Sequence, residues 1–272
     1  MANKTILKWA GSKARVMDKL LPHLPAGQRL VEPFAGSCAV MMNTDYPEYL
    51  VADANADLID MYQSIQADGD LFTHVASLCF SKIRGNEEYY ELRDKFNFYQ
   101  IWAENKLYRA SLFLALNRHC FNGLCRYNRR GKFNVPFGNY KTPYFPATEI
   151  WSFSEKSAKA EIVHLEWQDT LTLVDYGDVV YCDPPYLTHG TGFTQYHTVD
   201  FTPAAHEELA VELLRLNFNL GVPVIASNSI AAKELYADLR FTIHEIDAPR
   251  TIAANGNRQP AKEIIAVLEG AA

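Results

Sequence analysis

The chain has 272 residues, 48% of them hydrophobic, and a formal net charge of -6. That is long enough for one large core with an inserted lobe, or for two small domains. No stretch of about 18 apolar residues exists, which excludes a membrane-spanning helix. Residues Met1 to Trp9 lack the apolar run of a signal peptide, so a cytoplasmic protein is expected. The five cysteines, Cys38, Cys79, Cys120, Cys125 and Cys182, are odd in number and irregularly spaced, which argues against a disulfide framework. No second ligand pair follows Cys120 and Cys125 at zinc spacing, so no metal is expected.

In chain order, Arg29 to Pro33 reads as a short buried strand running into a turn, and Tyr49 to Asp53 as a second strand. The intervening Phe34-Ala35-Gly36-Ser37-Cys38 turn is expected to lead into a helix. After Asp53 the apolar spacing becomes helical, with Leu58, Ile59, Tyr62 and Ile65 on one face. Glu87 to Phe98 and Leu107 to Leu116 also read as helices. Asn117 to Phe145 is rich in Asn, Gly, Pro and aromatics and reads as loop with a short hairpin. Strands resume at 162–165, 178–182, 222–226, 241–246 and 263–268, with a helix over 206–220 between two of them.

This alternation predicts an α/β fold, a doubly wound and mostly parallel sheet with helices on both faces. Residues 57–145 contribute no evident strand and read as an inserted, mainly helical lobe. The expected division is therefore 1–56 with 146–272 as one unit and 57–145 as the other.

The net charge alone argues mildly against nucleic acid. Its distribution says otherwise. Between Asn117 and Phe145 stand Arg118, Arg126, Arg129, Arg130, Lys132 and Lys141, with no Asp or Glu. Such a segment is either a solvated loop or a surface that tracks phosphates.

Two turns point to a cofactor. Gly36 follows the first strand, where a glycine lets backbone approach a ligand closely. Asp53 ends the second strand, 21 residues after Glu32, a spacing at which an acid commonly binds ribose hydroxyls. An adenosine-containing cofactor fits these features, and so does a plain strand-turn-helix with a capping Asp53. The full dinucleotide glycine pattern is absent, which disfavours a nicotinamide oxidoreductase.

The most informative stretch is Asp178-Val-Val-Tyr-Cys-Asp183-Pro184-Pro185-Tyr186. A buried strand meets two prolines and must stop, and Pro184 keeps Asp183 out of helical conformations. The result is a stiff loop at the carboxyl end of a strand, where ligands bind. An exocyclic amine on a base is a poor nucleophile, because its lone pair is delocalised into the ring. The Asp183 carboxylate can accept one of its hydrogens and the Pro184 carbonyl the other. Tyr186 offers a face for stacking, worth roughly 1–3 kcal/mol per base. Held about 3 Å from a sulfonium methyl, such an amine gains most of its rate from proximity. The base must first leave the duplex.

With these motifs the chain resembles the Dam-type DNA adenine methyltransferases of bacteria and phages. The likeness spans nearly its whole length. It includes Leu7 to Lys13, Val31 to Gly36, Ala52-Asp53, Leu116 to Arg118, Phe121 to Asn128, Phe133 to Gly138, Lys141 to Phe145 and the Asp183 loop. The motif order resembles the α arrangement of amino-methyltransferases. The resemblance implies S-adenosylmethionine as donor, with S-adenosylhomocysteine as product, held by Trp9, Lys13, Phe34, Gly36, Asp53 and Asp183. It implies catalysis at Asp183, Pro184, Pro185 and Tyr186. It also implies that 57–145 is a target-recognition domain reading GATC in double-stranded DNA, with no obligate protein partner. On that basis Lys8 meets a guanine edge, Phe121 wedges beside the flipped adenine and Asn122 follows it. Leu124, Arg126 and Pro136 read base edges, while Arg118, Asn128 and Tyr140 hold the backbone. Independently of the family, Arg126 suits guanine O6 and N7, and Phe121 is an apolar wedge.

Cys38 replaces a second glycine usual in the family, so its side chain is expected to crowd the methionine end of the cofactor. Trp167 packs either on the cofactor's adenine or in the core. The loop 187–200, with Thr191, Phe193 and Tyr196, is either a cover for the flipped adenine or a plain connection. Asp183 favours adenine over cytosine N4, rRNA adenine or protein glutamine as substrate. A DNA-binding regulator without turnover is the reading from another functional class.

Overall fold

A computed structural model describes residues 3–99, 106–187, 201–249 and 261–271. Among these, seven strands form one sheet in the order β3-β2-β1-β4-β5-β7-β6. The strands are β1 (Arg29–Glu32), β2 (Glu48–Asp53), β3 (Ala160–His164), β4 (Asp178–Cys182), β5 (Val224–Ser229), β6 (Thr242–Ala248) and β7 (Ala261–Leu268). The first five run parallel, while β7 inserts antiparallel between β5 and β6. The chain starts in the middle at β1, winds outward through β2 and β3, and returns beside β1 as β4. The strand order therefore reverses between β1 and β4, the place where an open α/β sheet forms its ligand crevice. All five β4 residues are buried, as expected for a strand covered on both faces.

One face is covered by α2 (Ala56–Ala67), α3 (Gly69–Lys82), α4 (Asn86–Phe98), α5 (Lys106–His119) and α6 (Ala147–Ser157). Their buried side chains form one continuous core with the underside of the sheet, from Leu30 and Tyr49 through Leu58, Tyr62 and Phe113 to Phe133. The other face carries α7 (Trp167–Leu171), α8 (Pro203–Leu220) and α9 (Lys233–Asp238) over Val31, Val180 and Val224. The short α1 (Met17–Leu20) precedes β1.

Local chemistry sets the ends of these helices. The Asn55 side chain accepts from the Asp57 and Leu58 amides at the start of α2. Thr202 caps α8 ahead of Pro203, and left-handed Gly221 ends it. Helices α2, α4 and α5 fall where the apolar spacing placed them, and α5 is buried from Ala110 to His119.

The helix expected after the Phe34–Cys38 turn is replaced by a single 3-10 turn, Met41–Asn43. Gly36 at φ 47° and Cys38 at φ 54° reverse the chain twice within three residues. Ala39 to Pro47 then reach β2 with that single turn between them. Helices α3 and α6 were not expected, because their apolar positions are diluted by Ser, Thr and His. The loop expected from Asn117 begins only after His119; 120–145 is loop with a 3-10 turn at Phe121–Gly123 and two isolated bridges, Cys120 to Phe137 and Tyr127 to Phe133.

Candidate active site

A cavity of about 460 Å³ opens at the reversal of strand order. Its floor is the turn after β1. There the Gly36 amide donates to Asp53 Oδ2 at 2.9 Å, while Asp53 Oδ1 accepts from the Asn55 amide at 2.9 Å. The acid is thus oriented by two backbone donors at the end of β2. Gly36 is required twice over. Its φ is left-handed, and a Cβ there would lie 2.9 Å from the Trp9 indole nitrogen. One end of the cavity is aromatic. Phe34 and Phe201 meet edge to face at 5.8 Å, with Trp167 on α7 tilted 6.5 Å from Phe201. Trp167 serves both alternatives, since it lines the cavity and belongs to the core.

The expected crowding by Cys38 does not occur. Its side chain is fully buried in the core beneath the turn, while its neighbours Ser37 and Ala39 line the cavity. The left-handed φ turns the Cβ away from the ligand space.

At the opposite end stands Asp183. Its Oδ2 is 2.7 Å from the Lys13 ammonium, which also donates to the Gly11 carbonyl at 2.9 Å. Its Oδ1 is buried without a partner. Burial pushes the Asp183 carboxyl up to about 6, Lys13 pulls it down, and Glu263 pushes it up again. Glu32, at the end of β1, is a second buried carboxyl with an unpartnered oxygen. Burial raises it to about 8, against a hydrogen bond from the Met41 backbone, so it is neutral at pH 7. Lys13 also lies 4.9 Å from the Tyr186 ring centroid. Pro184 is buried and Pro185 half-buried, and both line the cavity. Lys13, Asp183 and Tyr186 therefore share one wall of the cavity.

The segment 117–140 lies beside this wall, joined to it through the N-terminal arm. Buried Asn117 accepts from the Lys8 amide at 3.0 Å and donates to the carbonyls of Lys8 and Gly123. The Lys8 ammonium sits 3.6 Å over the Tyr140 ring. Phe121 and Asn122 are exposed, and the Phe121 amide donates to the carbonyl of exposed Pro136 at 2.8 Å. Leu124 is half-buried against the core. Arg126 Nε donates to Asn134 Oδ1 at 2.8 Å. Arg129, Arg130, Lys132 and Lys141 are exposed.

Of the expected DNA contacts, Arg118 faces inward, and half-exposed Asn128 is engaged by its own loop. Arg118 is 6% exposed, and its guanidinium donates to the Thr5 and Ile6 carbonyls. Desolvation lowers it to about 10. This placement makes it a tether for the N-terminal arm rather than a phosphate contact. Asn128 Oδ1 accepts from the Arg130 and Lys132 amides, so its acceptor closes the loop.

Sequence reasoning passed over Glu32, Asn117, Phe201, Asn228 and Glu263. Glu263 heads a strand that carried only an apolar signal, and nothing local marks it. Thr191, Phe193 and Tyr196 lie outside the described residues. Among the described residues, no cluster of His, Cys, Asp or Glu is arranged to hold a metal, and no helix is long and apolar enough to cross a membrane.

Comparison with known proteins matches residues 9–252 to the family described as D12 class N6 adenine-specific DNA methyltransferase. The chain is 49% identical over 266 residues to the Retron Ec67 DNA adenine methylase of Escherichia coli, covering 97% of this chain and 90% of that protein. It is 41% identical over 271 residues to the DNA adenine methylase of Escherichia coli K12, covering 97% and 95%. It is 39% identical over 270 residues to the DNA N-6-adenine-methyltransferase of Escherichia phage P1, covering 97% of this chain and 35% of that protein.

Proposed function

Since this chain belongs to the D12 class of N6 adenine-specific DNA methyltransferases, we propose that it takes S-adenosylmethionine as donor, transfers the methyl at Asp183 to Tyr186, and reads GATC through residues 57–145. The activity itself, methylation of adenine in DNA, follows from the family. Donor, site residues and sequence are our reading.

The observation that carries it is Asp183: a half-buried carboxylate lining a cavity at the carboxyl ends of β1 and β4, with one oxygen on Lys13 and the other buried without a partner. A buried acceptor without a donor costs about 1–3 kcal/mol, and an adenine N6 hydrogen supplies that donor. The cavity also suits the methyl donor. Phe34, Trp167 and Phe201 fit a flat purine, Asp53 is oriented for ribose hydroxyls, and Gly36 leaves room where a side chain would intrude. When bound, S-adenosylmethionine supplies an electrophilic methyl.

The chain's own residues do the rest. Asp183 and the Pro184 carbonyl orient the amine and raise the availability of its lone pair. Lys13 keeps Asp183 ionised near neutrality. Tyr186 stacks on the extruded base, and Phe121, exposed at the lip of the recognition segment, fills the vacated position. Lys8, Asn122, Leu124, Arg126, Pro136 and Tyr140 form the reading surface, and the exposed cations follow the backbone.

The test is transfer of labelled methyl from S-adenosylmethionine to duplexes with GATC, with one base of GATC changed, or with no adenine in the site. We expect N6-methyladenine in the first and a loss of about 10-fold or more per changed pair. Equal labelling of all adenine duplexes would refute GATC, and label on cytosine would refute the base.

A further inference from the structure

Lys13 and Asp183 are held by the N-terminal arm and β4, but the far end of the Asp183 loop is held elsewhere. Glu263 lies on β7, in register with Ser229 of β5. Its Oε2 accepts the Tyr186 phenol hydrogen at 2.6 Å. The next residue is fixed at the same place. The Leu187 amide donates to Asn228 Oδ1 at 3.1 Å, and the Ser229 hydroxyl donates to the Leu187 carbonyl at 2.6 Å. Three hydrogen bonds from two adjacent strands thus anchor the loop's exit, and only one of them reaches an aromatic side chain.

We propose that Glu263 is a positioning residue for methyl transfer, fixing the Tyr186 ring against the flipped adenine by accepting its phenolic hydrogen. This rests on the reading of Asp183 to Tyr186 as the transfer site.

The physical need is specific. A ring that stacks on an incoming base must keep a face uncovered, so side-chain packing cannot lock it from that side. A hydrogen bond at the tip locks the ring and leaves its face open. A bond to a carboxylate is the stronger kind, and 2.6 Å is the length expected of it. Burial, then Asp183 and Glu263, hold the Tyr186 phenol well above its ordinary range, so the hydrogen stays on the phenol and the carboxylate accepts.

The same carboxylate acts on Asp183 through space. The groups facing Asp183 among the described residues are Lys13 from the N-terminal segment, Glu32 from β1, Tyr181 and Cys182 from β4, Tyr186 from its own loop, Tyr236 from α9 and Glu263 from β7. Glu32 is neutral at pH 7, and the tyrosines and Cys182 are raised. Glu263 raises the Asp183 carboxyl, so its removal eases ionisation of Asp183.

The experiment combines Glu263→Gln, Glu263→Ala, Tyr186→Phe and the double variant Tyr186→Phe with Glu263→Ala. Single-turnover methylation is followed against pH, and 2-aminopurine at the target position reports stacking of the flipped base. Gln keeps an acceptor but removes the charge, so the acid limb of the rate profile moves to lower pH. Ala slows single turnover about tenfold, the scale of one hydrogen bond to a charged group, and changes the 2-aminopurine signal, with the donor KM little altered. On the Tyr186→Phe background the further Ala change has no such effect, because the phenolic hydrogen is already gone. An unmoved acid limb in Glu263→Gln, or an equal Ala effect with and without the Tyr186 hydroxyl, overturns the proposal. Asp183→Ala, which removes the acceptor altogether, separates the two levels. Full activity there means that the site reading itself has failed. Inactivity there together with wild-type behaviour of every Glu263 variant means that the assignment of Glu263 alone has failed.

Discussion

At Asp183 one oxygen has a strong partner and the other has none, and that asymmetry has consequences for pH. The ionised group accepts an amine hydrogen more strongly than the neutral acid does, and its carboxyl is raised to about 6. Single-turnover rate should therefore fall as pH drops through about 6 and level off above it. Lys13 is the group that lowers the value, so Lys13→Ala should move this acid limb to higher pH. An unmoved limb would deny that Lys13 sets the ionisation of Asp183. Cys38 yields a second test. Left-handed φ costs a non-glycine residue about 1–2 kcal/mol, while losing a small buried side chain costs a similar amount. Cys38→Gly should thus change the melting temperature little and leave the donor KM within about twofold. A much lower KM would mean that the side chain does crowd the donor. Asp183 and Asp53 stood out in the sequence because motif and strand end coincide there, whereas Lys13, in a 3-10 turn far from any strand, was named only through the family resemblance. Glu263 and Glu32 were not, because their importance arises only when distant strands are brought side by side.

Among the elements, the arm Lys8 to Lys13 links the recognition segment to the transfer site. One end is held by Asn117 and the other by Asp183. Gly123 sits against this arm at φ 65°, and a Cβ there would lie 2.2 Å from the Lys8 Cβ. Gly123→Ala must displace one of the two and should cost about 1–3 kcal/mol. We expect weaker discrimination against a changed base pair as well as a lower melting temperature. Unchanged discrimination would uncouple Lys8 from the reading surface. Strand β4 was legible to the residue and the others to within about one to three, since these are apolar runs with proline or polar ends. Helices α3 and α6 escaped because Ser, Thr and His interrupt an apolar face that does keep helical spacing. The missing helix after Cys38 follows from two left-handed residues, one of which is not glycine and carries no sequence signal.

For the molecule as a whole, strand order places the cavity, and charge placement leaves one segment with exposed cations and no acids. The chain is acidic overall, yet Arg129, Arg130, Lys132 and Lys141 stand exposed in a stretch without acids. Binding should weaken steeply with salt, and Arg129→Ala with Arg130→Ala should reduce the log–log slope by about 0.9 for each phosphate left without its cation. A slope unchanged by both would place the DNA elsewhere. The basic stretch was legible by composition, whereas the inward turn of Arg118 depends on a neighbouring arm that composition cannot reveal. The most direct measurement of the central claim is methylation mapping of unmethylated genomic DNA exposed to the purified protein with S-adenosylmethionine, beside Asp183→Ala. The account predicts N6-methyladenine at GATC, and its near-complete loss in a folded Asp183→Ala. Methyl on cytosine, adenine methylation scattered without regard to GATC, or full activity in Asp183→Ala would contradict it.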